Sequence, residues 1–108
     1  MTDARQRASA GRIEDWPVGD IRRLDTEPPV AVYNVDGRFF ATSDWCSHDR
    51  ASLSEGWLEG DVIECPWHMA KFCVRTGQVL SAPASEDIPC FKVAVDDGEV
   101  FVELDGAP

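Results

Sequence analysis

Apolar residues in this chain fall in short runs or at every second position, and nowhere in a sustained 3.6-residue repeat, so helix is predicted to be minor. The clearest segment is Val30-Ala31-Val32-Tyr33-Asn34-Val35, whose β-branched residues favour a strand. Asp36-Gly37 then offers a two-residue turn and Arg38 to Ser43 a return strand, which together predict a hairpin. A second hairpin is predicted about Asp96-Asp97-Gly98. Phe91, Val93 and Val95 share one face of its first arm, Val100, Val102 and Leu104 one face of its second, and Phe101 breaks the alternation. Between these, Val62-Ile63-Glu64 follows a turn at Glu59-Gly60-Asp61. Lys71 to Val74 and Gln78 to Leu80 are predicted to pair about Arg75-Thr76-Gly77.

The remainder is less regular. Gly11 to Asp15 is read as a first short strand, Trp16 to Asp20 as a turn, and Ile21 to Asp25 as extended up to the boundary at Pro28-Pro29. Ala51 to Leu58 is a broken stretch containing Gly56, and Ser81 to Ser85 with Ile88-Pro89 is too rich in proline for regular structure. Many short strands with turns about every eight to twelve residues argue an all-β fold, a sandwich or small antiparallel barrel.

With 108 residues the chain can bury one modest core, so a single domain is expected over 11–108. Met1 to Ala10 carries Arg5 and Arg7 but no apolar stretch, and reads as a disordered tail rather than a secretory signal. No apolar run approaches the length that crosses a bilayer, which predicts a soluble, cytoplasmic protein. The formal net charge of -10 argues against nucleic acid or an acidic membrane surface as partner. Seven of the acids lie between Glu86 and Asp105 against the single base Lys92. That surface keeps the protein monomeric, steers it toward a basic partner, or does both.

The candidate chemistry lies in two short stretches, Cys46-Ser47-His48 and Cys65-Pro66-Trp67-His68, which hold the only two histidines in the chain. Each cysteine and its histidine fit one tight loop, whose ends span only roughly 7 to 11 Å when fully extended. Two such loops facing each other offer two thiolates and two imidazoles to one centre. A structural zinc ion accepts that ligand set. The order, one cysteine and one histidine in each loop, suits a two-iron centre better, with both cysteines on one iron and both histidines on the other. No further histidine is left to build a mononuclear iron triad, so the chain offers no oxygen-activating site of its own. Cys73 and Cys90 are expected as thiols packed in strands, as suits a reducing compartment.

The C-x-H and C-x-x-H motifs closely resemble those of the Rieske family, and the likeness runs from about Gly11 to Leu104. The resemblance implies a small antiparallel β domain with its ligand hairpins at one tip. It further implies one 2Fe-2S cluster, with Cys46 and Cys65 on one iron and His48 and His68 on the other. Ser81 to Ser85 then corresponds to the proline loop that covers the cluster. Where the family often has glycine after the second histidine, this chain has Met69. The stretch from His68 to Gly77 is similar to the stand-alone Rieske ferredoxins of bacterial aromatic-ring-hydroxylating dioxygenases of the phenylpropionate or cumate type. That likeness implies an electron carrier rather than an enzyme, fed by a flavin-dependent ferredoxin reductase and serving a terminal oxygenase. The small subunit of a nitrite reductase and a structural zinc module remain the alternatives. Ala70 and Phe72 stand where high-potential Rieske proteins carry serine and tyrosine hydroxyls, which implies a low reduction potential.

Overall fold

The computed structural model describes residues 7–26, 28–46, 51–66, 70–82 and 86–104. Among them the chain runs through β1 (Arg7–Arg12), β2 (Ile21–Leu24), β3 (Val30–Val35), β4 (Arg38–Ser43), β5 (Trp57–Glu59), β6 (Val62–Glu64), β7 (Lys71–Cys73), β8 (Cys90–Asp96) and β9 (Glu99–Glu103). Two single 3-10 turns, Ile13–Asp15 and Leu53–Glu55, are the only helical pieces among the described residues. Six strands form one antiparallel sheet in the order β1-β9-β8-β4-β3-β2, and the other three form a small sheet in the order β5-β6-β7. The large sheet curls until its edge strands β1 and β2 approach each other. Arg22 of β2 bridges that seam, donating to the carbonyls of Ala10 and Asp15 while its guanidinium lies 4.4 Å from the Trp16 ring centroid.

The strand β3 explains why its sequence is apolar without alternation. Val30 and Val32 pack inside the curled sheet with Ala10, Trp16, Ala41, Val100 and Val102, whereas Ala31 and Tyr33 face a second core. That second core includes Leu53, Ile63, Phe72 and Val74 of the small sheet and its connections. Both faces of β3 are therefore covered, and a strand covered on both sides reads as a continuous hydrophobic run. In the small sheet Leu58, Ile63 and Phe72 are cross-strand neighbours pointing into this core. The alternate row, Trp57, Glu64 and Lys71, shares the opposite, solvent-facing side, where Trp57 is 60% exposed.

The two hairpins carried by Asp-Gly form as expected. Asp36 and Gly37 have φ 54 and 91, and Asp97 and Gly98 have φ 54 and 79, the left-handed pair that suits the twist of a two-residue hairpin. Other expectations change. The first strand is Arg7–Arg12 rather than Gly11 to Asp15, and it starts inside the segment expected to be a tail. Its residues are recruited by pairing with β9, Arg7 opposite Glu103 and Ala8 opposite Val102, and a bulge between Ser9 and Gly11 leads into the 3-10 turn. The guanidinium of Arg7 covers Phe101, 4.2 Å from its ring centroid, which accommodates the residue that broke the alternation. Gln78 to Leu80 does not form a full strand: only Val79 bridges to Phe72. Two backbone bonds still close the pairing, Cys73 N–H to Gln78 O at 2.9 Å and Leu80 N–H to Lys71 O at 2.7 Å, and side chains take the remaining donors, with Ser81 Oγ accepting from Lys71 N–H and Asp87 Oδ1 from Val79 N–H.

Candidate metal centre

Cys46 lies just beyond the end of β4 and Cys65 immediately after β6, so each cysteine opens a loop at the end of a strand. The two loops are closed by the same device. Cys46 N–H donates to Ala51 O at 3.1 Å, and Cys65 N–H donates to Ala70 O at 2.7 Å. One residue further out, Trp45 bridges to Ser52, and Glu64 pairs with Lys71. Ala51 and Ala70 are both buried, at 1% and 0% exposure. The repeated Cys-x4-Ala spacing is the sequence signal that locates these two supports, and it was not among the features read from sequence.

Both sulfurs are withdrawn from solvent. Cys46 is 4% exposed and Cys65 is fully buried, and both belong to the same core cluster as Ala51, Leu53, Ala70 and Phe72. None of the four cysteines is in a disulfide, and Cys73 and Cys90 each sit in a strand at intermediate exposure. Two thiols in one apolar core suit a shared thiophilic ion, since thiolates are the soft ligands that select iron-sulfur centres or zinc. His48 and His68 lie outside the described residues, as do Trp67, Met69 and Pro83.

Beneath the first loop is a polar network that sequence reasoning did not single out. Asp44, 0% exposed, accepts the N–H of Ser54 at 2.8 Å and the hydroxyl of Ser52, and Arg23 Nε of β2 lies 3.6 Å from its Oδ2. Tyr33 is also fully buried, its hydroxyl 2.8 Å from Thr42 Oγ1. Burial pushes the Tyr33 phenol well above its ordinary pKa and the Asp44 charge adds to this, although the Thr42 contact opposes it.

The comparisons with known proteins agree with this architecture. A Rieske [2Fe-2S] domain model matches residues 8–92. The chain is 45% identical over 93 residues to the 3-phenylpropionate/cinnamic acid dioxygenase ferredoxin subunit of Escherichia coli (strain K12), covering 85% of this chain and 88% of the relative. Among solved structures, it superposes with TM-score 0.87 and 44% identity on a chain of the complex of reduced oxygenase and oxidized ferredoxin in carbazole 1,9a-dioxygenase, covering 90% of this chain and 92% of that one. The Sphingomonas yanoikuyae B1 ferredoxin matches with TM-score 0.83 and 31% identity, over 92% of this chain and 99% of its own. With two cysteine-headed hairpin loops on a curled antiparallel sheet, and a family match spanning most of its length, the chain belongs to the Rieske [2Fe-2S] family.

Proposed function

We propose that this protein is the ferredoxin of a multicomponent aromatic-ring dioxygenase, relaying single electrons from an NAD(P)H-dependent flavin reductase to the terminal oxygenase. The observation that carries the reading is the matched pair of loop closures. Cys46 and Cys65 are each held by an N–H bond to a buried alanine and enter one apolar core, a frame suited to two thiolates on one iron. His48 and His68, each in the same loop as one of these cysteines, would hold the second iron. A 2Fe-2S cluster with every position taken by protein accepts and passes one electron and leaves no vacant site for substrate.

The chain's own residues do the rest. Leu53, Ala70 and Phe72 keep water from the sulfurs, and the short β6 and β7 fix the spacing of the second loop's ends. Trp57, exposed and paired with Glu64 immediately before Cys65, adds an apolar spot beside the loops. Together with Trp67, Met69 and Pro83, it would supply the surface on which partners dock in turn. The work is electron transfer, so the protein is not itself the catalyst. Among the described residues no helix is long and apolar enough to cross a membrane, and we place the carrier in the cytoplasm as a monomer, one domain from Arg7 onward.

The test is reconstitution. Purified protein should be brown-red and reducible, with two irons and two sulfides per chain, and should support NADH-dependent oxygen uptake when mixed with a flavin reductase and an aromatic-ring oxygenase. Cys46→Ser and Cys65→Ser should each abolish the colour. A colourless protein carrying one zinc would overturn the assignment.

A further inference from the structure

Asp44 is an ionisable side chain with no exposed surface, two residues before the first ligand cysteine. Its backbone already anchors the loop stem: its N–H donates to Pro29 O at 3.0 Å, and its carbonyl accepts from Leu53 N–H at 2.7 Å. The side chain adds a second tier. Oδ1 accepts from Ser54 N–H, Oδ2 accepts from Ser52, which also touches Ser54 Oγ at 2.9 Å, and Oδ2 faces Arg23. Every neighbour donates. Both stems of the Cys46 loop are thereby tied to each other and to β2 of the curled sheet.

Hydrogen bonding alone does not call for a charge here. Burying an ionised group is costly, and a buried ion pair is weak evidence for stability when a neutral acceptor could take the same bonds. What a charge adds is a field. Two residues place Asp44 within about 7 Å of Cys46 along the chain. Reduction of a cluster held there adds one negative charge, which a nearby buried carboxylate opposes and a nearby guanidinium favours, with little screening by salt. Arg23 is half-exposed and shared, its Nε also 3.1 Å from Asp25, whose side chain is 87% exposed. Its charge is thus divided between a buried and a solvated acid, and Asp44 is only partly neutralised.

We propose that Asp44 is a positioning residue for the Cys46 loop and that the Asp44–Arg23 pair sets the cluster's reduction potential, Asp44 holding it down and Arg23 raising it. The inference rests on Cys46 being a cluster ligand.

Opposite signs make the test. Purified, cluster-loaded Asp44→Asn, Arg23→Met and Asp25→Asn are compared with wild type by protein-film voltammetry, with iron content and visible circular dichroism measured on the same samples. Asp44→Asn should shift the potential upward, Arg23→Met downward, and Asp25→Asn by much less than either. Asp44→Asn should also lose part of its iron, and Asp44→Glu should restore the potential toward wild type. If Asp44→Asn fails to load, Arg23→Met decides alone, because it leaves the bonds from Ser52 and Ser54 in place and removes a half-exposed edge-strand side chain. Unchanged potentials in the loaded variants, shifts of the same sign in both, or an equal shift in Asp25→Asn would overturn the proposal. A wild-type protein without iron would overturn the reading of the site and this inference with it, and the iron assay reports that separately from the potential.

Discussion

Replacing Gly56 by alanine should damage the stem of the Cys65 loop from a distance. Gly56 ends the Leu53–Glu55 turn at φ -88 and ψ -159, angles that any residue adopts, so the substitution introduces no backbone strain. The obstacle is space. A Cβ at this position would lie 2.0 Å from the carbonyl oxygen of Glu64, 3.1 Å from its carbonyl carbon and 3.2 Å from the carbonyl oxygen of Leu53. Relief to the 3.0 Å below which real contacts essentially never fall requires about 1 Å of movement, and every opposing atom is backbone. The Glu64 carbonyl and the Cys65 N–H belong to one planar peptide unit. Pushing that oxygen aside therefore turns the N–H away from Ala70 O, now 2.7 Å distant. Overpacking costs about 1–3 kcal/mol, and the weakened bond adds about 0.5–1.5 kcal/mol. A total of about 1.5–4.5 kcal/mol would lower the melting temperature by roughly 6–36 °C in a domain of this size. Thermal melts followed by far-ultraviolet circular dichroism and by cluster absorbance measure both effects, and the absorbance should be lost first. Gly60→Ala is the control: its φ is +63 and nothing lies within 4 Å of its Cβ, so it should cost only the left-handed penalty of about 1–2 kcal/mol. A Gly56→Ala protein within about 0.5 kcal/mol of wild type, or one more stable than Gly60→Ala, would refute the reasoning.

Leu53→Ala removes a fully buried side chain beneath the first loop and should cost about 2–5 kcal/mol in urea denaturation, where a loss below about 1 kcal/mol would show that the site collapses freely. The wild-type reduction potential should lie below 0 mV, toward the low end of the roughly -150 to +300 mV Rieske range, and a higher value in voltammetry would count against the dioxygenase-ferredoxin role. Ala70→Ser with Phe72→Tyr should raise it by roughly 20–65 mV for each hydrogen bond to the cluster or its sulfur ligand, taking such a bond at about 0.5–1.5 kcal/mol. Burial favours the neutral thiol of Cys73, but the Thr76 hydroxyl and the backbone N–H groups of Arg75 and Thr76 outweigh it and bring the pKa below its ordinary value. Iodoacetamide at pH 7.5 should therefore alkylate Cys73 faster in wild type than in Thr76→Val, whose rate profile should move to higher pH, and equal profiles would refute this.

Features decided within a few residues were legible in the sequence. Val30–Val35 and Arg38–Ser43 were readable to the residue because Asp36-Gly37 can hold two positive φ values and the flanking residues favour extended backbone. The two cysteine-histidine pairs were equally plain, since each spacing is local and the chain has no other histidines. Pairings over long separations were not. Arg7–Arg12 carries little hydrophobic pattern and becomes a strand only because β9 presents an edge to it, some ninety residues along the chain. Trp57 and Leu58 fell in a stretch, Ala51 to Leu58, that looked broken by Gly56, and Glu59 in a turn, yet Trp57–Glu59 is a strand and that glycine allows the chain to pass against the Glu64 carbonyl. Gln78 to Leu80 had the pattern of a strand and keeps two backbone bonds to Lys71 and Cys73, while the N–H groups of Lys71 and Val79 go to the side chains of Ser81 and Asp87. Asp44 carries no signal of its own in the sequence. Its burial depends on Arg23 arriving from β2 and Ser52 and Ser54 folding back over it, contacts that no local preference encodes. Turn chemistry and strand propensity act within a few residues, so sequence alone determined the two Asp-Gly hairpins and which cysteine stands beside which histidine in the chain; burial and charge environment depend on which distant segments meet, and only the tertiary structure decided them.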